Sequence, residues 1–69
     1  MYYGRYQIVT DSHCDEGLEE KESYYYLKDA EKAVEKYLAD GYKGAAIYDI
    51  IFGKWYEFYG DFRKELLSK

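Results

Sequence analysis

A chain of 69 residues that carries eleven tyrosines, three phenylalanines and one tryptophan has more aromatic area than a domain of its size encloses. A tyrosine ring gains from burial while its hydroxyl still needs a partner, so the residue suits surfaces that meet other molecules as well as cores. Some of these rings are therefore expected outside. A chain of this length forms one domain, residues 1–69, and buries only about 60% of the surface its unfolded form exposes, which leaves no room for a deep cleft.

The clearest element is a helix. Ala30, Ala33, Val34, Tyr37 and Leu38 repeat at i, i+3, i+4, i+7 and i+8, with Glu31, Lys32, Glu35 and Lys36 on the opposite face. Asp29 is placed to cap its start and Gly41 to end it in the left-handed conformation. Before it, residues 2–10 alternate as a strand, with Tyr2, Tyr6 and Ile8 on one face and Tyr3, Arg5, Gln7 and Val9 on the other. The polar stretch 11–21 reads as a loop, and 22–28, with its three tyrosines, as a second, antiparallel strand. After the helix, 45–52 and 55–59 read as a hairpin around Gly53-Lys54, a type II′ signal that sets Phe52 opposite Trp55, Ile50 opposite Glu57 and Tyr48 opposite Tyr59. Asp61 is placed to cap a short last helix with Phe62 and Leu66 on one side. The expected fold is α+β: a four-stranded antiparallel sheet in ββαββ order on one main helix, plus a short C-terminal helix. Both faces of the second hairpin are largely apolar, so the face away from the main helix must meet the C-terminal helix, a second copy or a partner.

Net charge is −4, from 14 acidic and 10 basic side chains, which argues against direct, sequence-independent nucleic-acid binding. Asp11, Asp15, Glu16, Glu19, Glu20 and Glu22 cluster with only Lys21 opposing them. The single cysteine, Cys14, excludes an internal disulfide and fits a reducing cytoplasm. Met1-Tyr2-Tyr3-Gly4-Arg5 lacks the charged and apolar regions of a signal peptide, and no apolar run reaches membrane-spanning length. No targeting segment and no membrane association are expected.

The segment Asp11-Ser12-His13-Cys14-Asp15-Glu16-Gly17 gathers zinc or copper ligand types, but with no second histidine or cysteine in the chain a hydrophilic loop is the better reading. Asp11, His13, Asp15 and Glu22 occupy positions 1, 3, 5 and 12 of a calcium loop, yet Glu16 stands where that loop needs glycine, and the flanks read as strands. Cys14 with His13 as its base lacks an orienting third group. The glycines form no phosphate cradle. Neither a reaction nor a metal or other cofactor is expected.

The acidic run reads either as a solvated loop or as a recognition surface for a basic partner, its carboxylates imitating the phosphates of nucleic acid. Tyr24, Tyr25 and Tyr26 favour recognition, because affinity needs desolvated aromatic anchors within a charged rim. On a strand Tyr25 points away from Tyr24 and Tyr26, so at least one of the three faces outward. Trp55 and its aromatic neighbours read as core first, with partner or homodimer contact as the alternative. Asp11, Asp15, Glu16, Glu19, Glu20, Glu22, Tyr24, Tyr25, Tyr26 and Trp55 are the candidate contact residues.

A small, acidic, tyrosine-rich, single-domain chain without a catalytic motif resembles, in overall style, the phage-encoded inhibitors of bacterial defence nucleases, the anti-CRISPR proteins among them. The resemblance implies a non-enzymatic inhibitor that occludes a basic nucleic-acid-binding or nuclease surface of a defence effector in the bacterial cytoplasm. It assigns no individual residue. The alternative is a homodimeric structural or small-ligand-binding domain that uses the uncovered sheet face.

Overall fold

In the computed structural model, which describes residues 4–13 and 17–67, the helical period becomes α1, Leu27–Ala39. Ala30, Ala33 and Val34 are buried, and Tyr37 and Leu38 pack beside them. The helix ends as the sequence requires: Gly41 has φ +113°, its N–H donates to the Leu38 carbonyl, and the Tyr42 N–H reaches back to the Tyr37 carbonyl, both at 3.2 Å. These two bonds form a Schellman motif. The start differs from expectation. The N-cap is Tyr26, which makes no side-chain capping bond, and Asp29 lies inside the first turn, where its charge favours the helix dipole. Leu27 packs on the core, so the helix begins ahead of the expected cap.

Four strands, β1 (Tyr6–Asp11), β2 (Leu18–Tyr24), β3 (Gly44–Asp49) and β4 (Lys54–Gly60), form one antiparallel sheet in the order β2-β1-β3-β4. The first strand thus starts at Tyr6, and Tyr2 and Tyr3 lie outside the described residues. Alternation along β1 sends Ile8 to the helix side, where it meets Ala30, Ala33, Val34, Ala45 and Ile47, and Val9 to the far side, with Ala46 and Phe62. The second strand runs from Leu18 to Tyr24 instead of 22–28. Tyrosine propensity places its end too late, because pairing stops where Tyr24 meets Tyr6. A bulge sets Lys21 and Glu22 together opposite Ile8, and the Gln7 side-chain amide donates to the Lys21 carbonyl there.

The β3–β4 hairpin turns through Ile50–Gly53 rather than Gly53-Lys54, which shifts the register so that Asp49 faces Lys54, Tyr48 faces Trp55 and Ala45 faces Tyr59. The Asp49 carboxylate causes the shift. It accepts the N–H groups of Ile51 (3.1 Å) and Phe52 (3.2 Å), while its carbonyl accepts that of Gly53 at 2.8 Å. Gly53, at φ +66°, closes the loop as its last residue.

The chain covers its own far face. Phe62 is buried on Val9 and Ala46, with Leu18, Trp55, Phe58 and Leu67 packed around them. Gly44 permits this approach, since a Cβ there would overlap the Phe62 backbone. The expected last helix is a single 3₁₀ turn, Lys64–Leu67, that Phe62 precedes and Asp61 does not cap. Leu67, not Leu66, joins the cluster. A long-range pair fixes the segment: Arg63 donates to Asp11 through its backbone N–H (2.9 Å), Nε (3.0 Å) and Nη2 (2.8 Å).

Candidate functional site

The expected contact residues fall into two groups on opposite sides of the sheet, and some are engaged inside the chain. Asp11 is not a loop residue: it ends β1, fully buried, and holds Arg63 together with the His13 N–H at 2.9 Å. Burial works against its ionisation, but the bonds from Arg63 and His13 outweigh it and hold the carboxyl down at about 2. That carboxylate has no lone pair left for a partner, which removes Asp11 from the contact surface and from the calcium-loop pattern. His13 directs Nε2 to the Asp61 carbonyl at 2.7 Å. Among the described residues no three His, Cys, Asp or Glu side chains cluster as metal ligands. Cys14, Asp15 and Glu16 lie outside the described residues.

Glu19, Glu20 and Glu22 stand on β2, an edge strand, where Glu19 and Glu20 were expected in the preceding loop. Charged side chains on a free edge also discourage unwanted strand pairing. Because the bulge turns Lys21 and Glu22 to the same side, Glu22 reaches two rings at once: it accepts hydrogen bonds from Tyr24 at 2.5 Å and from Tyr37 at 2.6 Å. Burial alone would raise the Glu22 carboxyl, yet these two bonds keep it below its ordinary range. The same interaction pushes the Tyr24 hydroxyl up to about 12, and burial followed by the Glu22 bond takes Tyr37 to about 12. Tyr24 therefore belongs to the core margin. Glu19 pairs with Lys21 at 2.9 Å, and the Lys21 ammonium lies 5.3 Å from the centre of the Tyr42 ring. Hydrogen bonding to Glu19, then to Tyr42, raises the Lys21 pKa, so the charge persists at any physiological pH. Glu20 is exposed.

Tyr25 and Tyr26, 61% and 71% exposed, carry the aromatic excess outward in the connection from β2 to α1. Trp55 is not beside them. It sits on β4, the opposite edge, half-buried between Tyr48 (4.9 Å between ring centres), Phe58 (5.4 Å) and Phe62 (6.1 Å).

Sequence reasoning missed a third group. Ile50, Ile51 and Phe52, expected inside a strand, are exposed in the β3–β4 turn, and Tyr56 is exposed at the β4 bulge. Tyr6 pairs with both Tyr24 and Asp49, and the Tyr56 ring meets that of Tyr6 at 6.4 Å. The end of the sheet where β1 begins thus presents Tyr25, Tyr26, Ile50, Ile51, Phe52 and Tyr56, all the exposed large apolar side chains among the described residues. The available signal was Asp49 followed by Gly53, an Asp that opens a turn and a glycine that closes it.

No helix among the described residues is long and apolar enough to cross a membrane. No protein-family model, curated protein or solved structure matches this chain.

Proposed function

We propose that this chain is a non-catalytic protein-binding inhibitor that occludes a basic, nucleic-acid-binding surface of a bacterial defence effector in the cytoplasm, as its anti-CRISPR-like character implies. The observation that supports it is the placement of two exposed rings, Tyr25 and Tyr26, directly after an open edge strand bearing Glu19 and Glu20. Rings of this kind desolvate readily and anchor, while carboxylates at the rim steer a basic partner and set the salt dependence.

The test is retention from nuclease-treated bacterial lysate on the immobilised chain, followed by salt elution. The wild-type chain is expected to retain a nucleic-acid-binding protein that leaves at moderate salt. Both Tyr25→Ala/Tyr26→Ala and Glu19→Lys/Glu20→Lys are expected to reduce its recovery at least tenfold, roughly 1.4 kcal/mol, with unchanged circular dichroism. Equal recovery on the charge-reversed chain sinks the proposal.

A further inference from the structure

A hollow of about 230 Å³ opens between β2 and α1, lined by Glu22, Tyr24, Ala33, Lys36, Tyr37 and Asp40. Both walls follow from the period of their elements. Glu22 and Tyr24, two apart on a strand, share a face, and Ala33, Lys36, Tyr37 and Asp40 fall at i, i+3, i+4 and i+7 along the helix and its C-cap. Tyr24 and Tyr37 each spend their hydroxyl proton on one oxygen of Glu22, at 2.5 and 2.6 Å, so the phenol and carboxylate oxygens keep only acceptor positions. Burial works against ionisation of Glu22, but the same two bonds hold its carboxyl below the ordinary range. Two carboxylates, Glu22 and Asp40, against the Lys36 ammonium leave the lining with an excess of negative charge. A cation already stands beside these rings, since the chain's own Lys21 ammonium lies 6.0 Å from the centre of the Tyr37 ring.

We infer that this hollow binds a guanidinium group, whose N–H donors meet the Glu22 carboxylate and the Tyr24 and Tyr37 phenol oxygens. A site that offers acceptors and a negative charge requires a ligand that brings several N–H groups and a positive one. Guanidinium presents five donors in a planar fork, which suits oxygens held in one place, and it is more weakly hydrated than an ammonium. Size agrees: the hollow is smaller than the roughly 300–1,000 Å³ of pockets for drug-sized ligands, so it fits a side-chain head rather than a nucleotide-sized cofactor. An anion is repelled by Glu22 and Asp40, and a hydrocarbon strips water from the oxygens without returning a hydrogen bond. The guanidinium comes from an arginine side chain or from a free guanidine, and only the arginine source rests on the basic partner proposed above.

The test is a chemical-shift titration of the full chain, labelled with nitrogen-15, using three probes: N-acetyl-glycyl-arginyl-glycinamide, its citrulline counterpart as the neutral isostere, and propylguanidinium. The arginine peptide is expected to shift the amides of Glu22, Tyr24, Tyr37 and Asp40 saturably, and the citrulline peptide to bind about tenfold more weakly or not at all. Glu22→Gln places an amide donor among the acceptors and should weaken binding about tenfold. Tyr37→Phe keeps the ring and its packing and should weaken binding several-fold. Glu57→Gln makes the same change of charge at an exposed position on β4, the opposite edge, and should bind like the wild type. Absence of a saturable shift with either cation, equal binding of citrulline, or unchanged affinity in Glu22→Gln or in Tyr37→Phe overturns the site. An equal loss in Glu57→Gln overturns it as well, because overall charge then explains the binding. Saturation by the arginine peptide supports a side chain as the source, and saturation by propylguanidinium without response to the peptide supports a free guanidine. No lysate partner enters the titration, so silent probes beside salt-dependent retention remove this site alone, and binding of the probes with no retained protein removes the proposed function alone.

Discussion

At the scale of single residues, Asp11 and Thr10 lie side by side in β1 with opposite prospects. The Asp11 carboxyl titrates at about 2 when folded, against about 3.9 unfolded, so the folded chain takes up that proton less readily. The stability contributed by its pair with Arg63 is complete above about pH 5 and declines as pH falls toward 2, by about 2–3 kcal/mol in total. Urea unfolding of wild type and Asp11→Asn across pH 2–6 checks this, and the variant should lose most of that slope. Thr10 is buried with a hydroxyl that has no hydrogen-bond partner among the described residues. Valine has the same shape without the unmet group, so Thr10→Val is expected to raise stability by about 1 kcal/mol in thermal denaturation. Neither role was legible in the sequence. Asp11 looked like one more acid of a charged loop, and its partner lies 52 positions away.

Among the elements, α1 was readable because its evidence is local: five apolar positions on one face, and a glycine where the chain leaves the helix. The strands were readable in number and less so in bounds. The end of β2 depends on where Tyr6 stops pairing, and the hairpin register depends on Asp49, a residue held in turn by Arg5 just ahead of β1. Propensity carries no record of either. The helix start offers a test of what Tyr26 is for. An N-cap without a capping side chain is a local weakness, so Tyr26→Asn is expected to stabilise the domain by about 0.5–1 kcal/mol. The same change removes an exposed ring and should weaken partner retention. Gain of both stability and retention in paired melting and binding measurements contradicts a contact role for Tyr26.

For the whole molecule, the sheet is closed on both faces by one chain: α1 on one side, the segment around Phe62 on the other. The far face, for which the apolar second hairpin left a C-terminal helix, a second copy or a partner as occupants, is covered by the segment around Phe62. Gly44→Val is expected to displace that segment, because a side chain there meets the Phe62 backbone. A red shift in Trp55 emission and binding of a hydrophobic dye should follow, with far-ultraviolet dichroism retained. An unchanged emission maximum contradicts the assigned role of Gly44. The pairing of Asp11 with Arg63 also has a meaning for synthesis. A nascent chain that has emitted β1 to β4 but not position 62 onward carries a buried-to-be carboxylate without its cation and an aromatic sheet face without its lid. The far side is sealed only once positions 62–67 have emerged, so until then the rings of Trp55 and Phe58 stay uncovered.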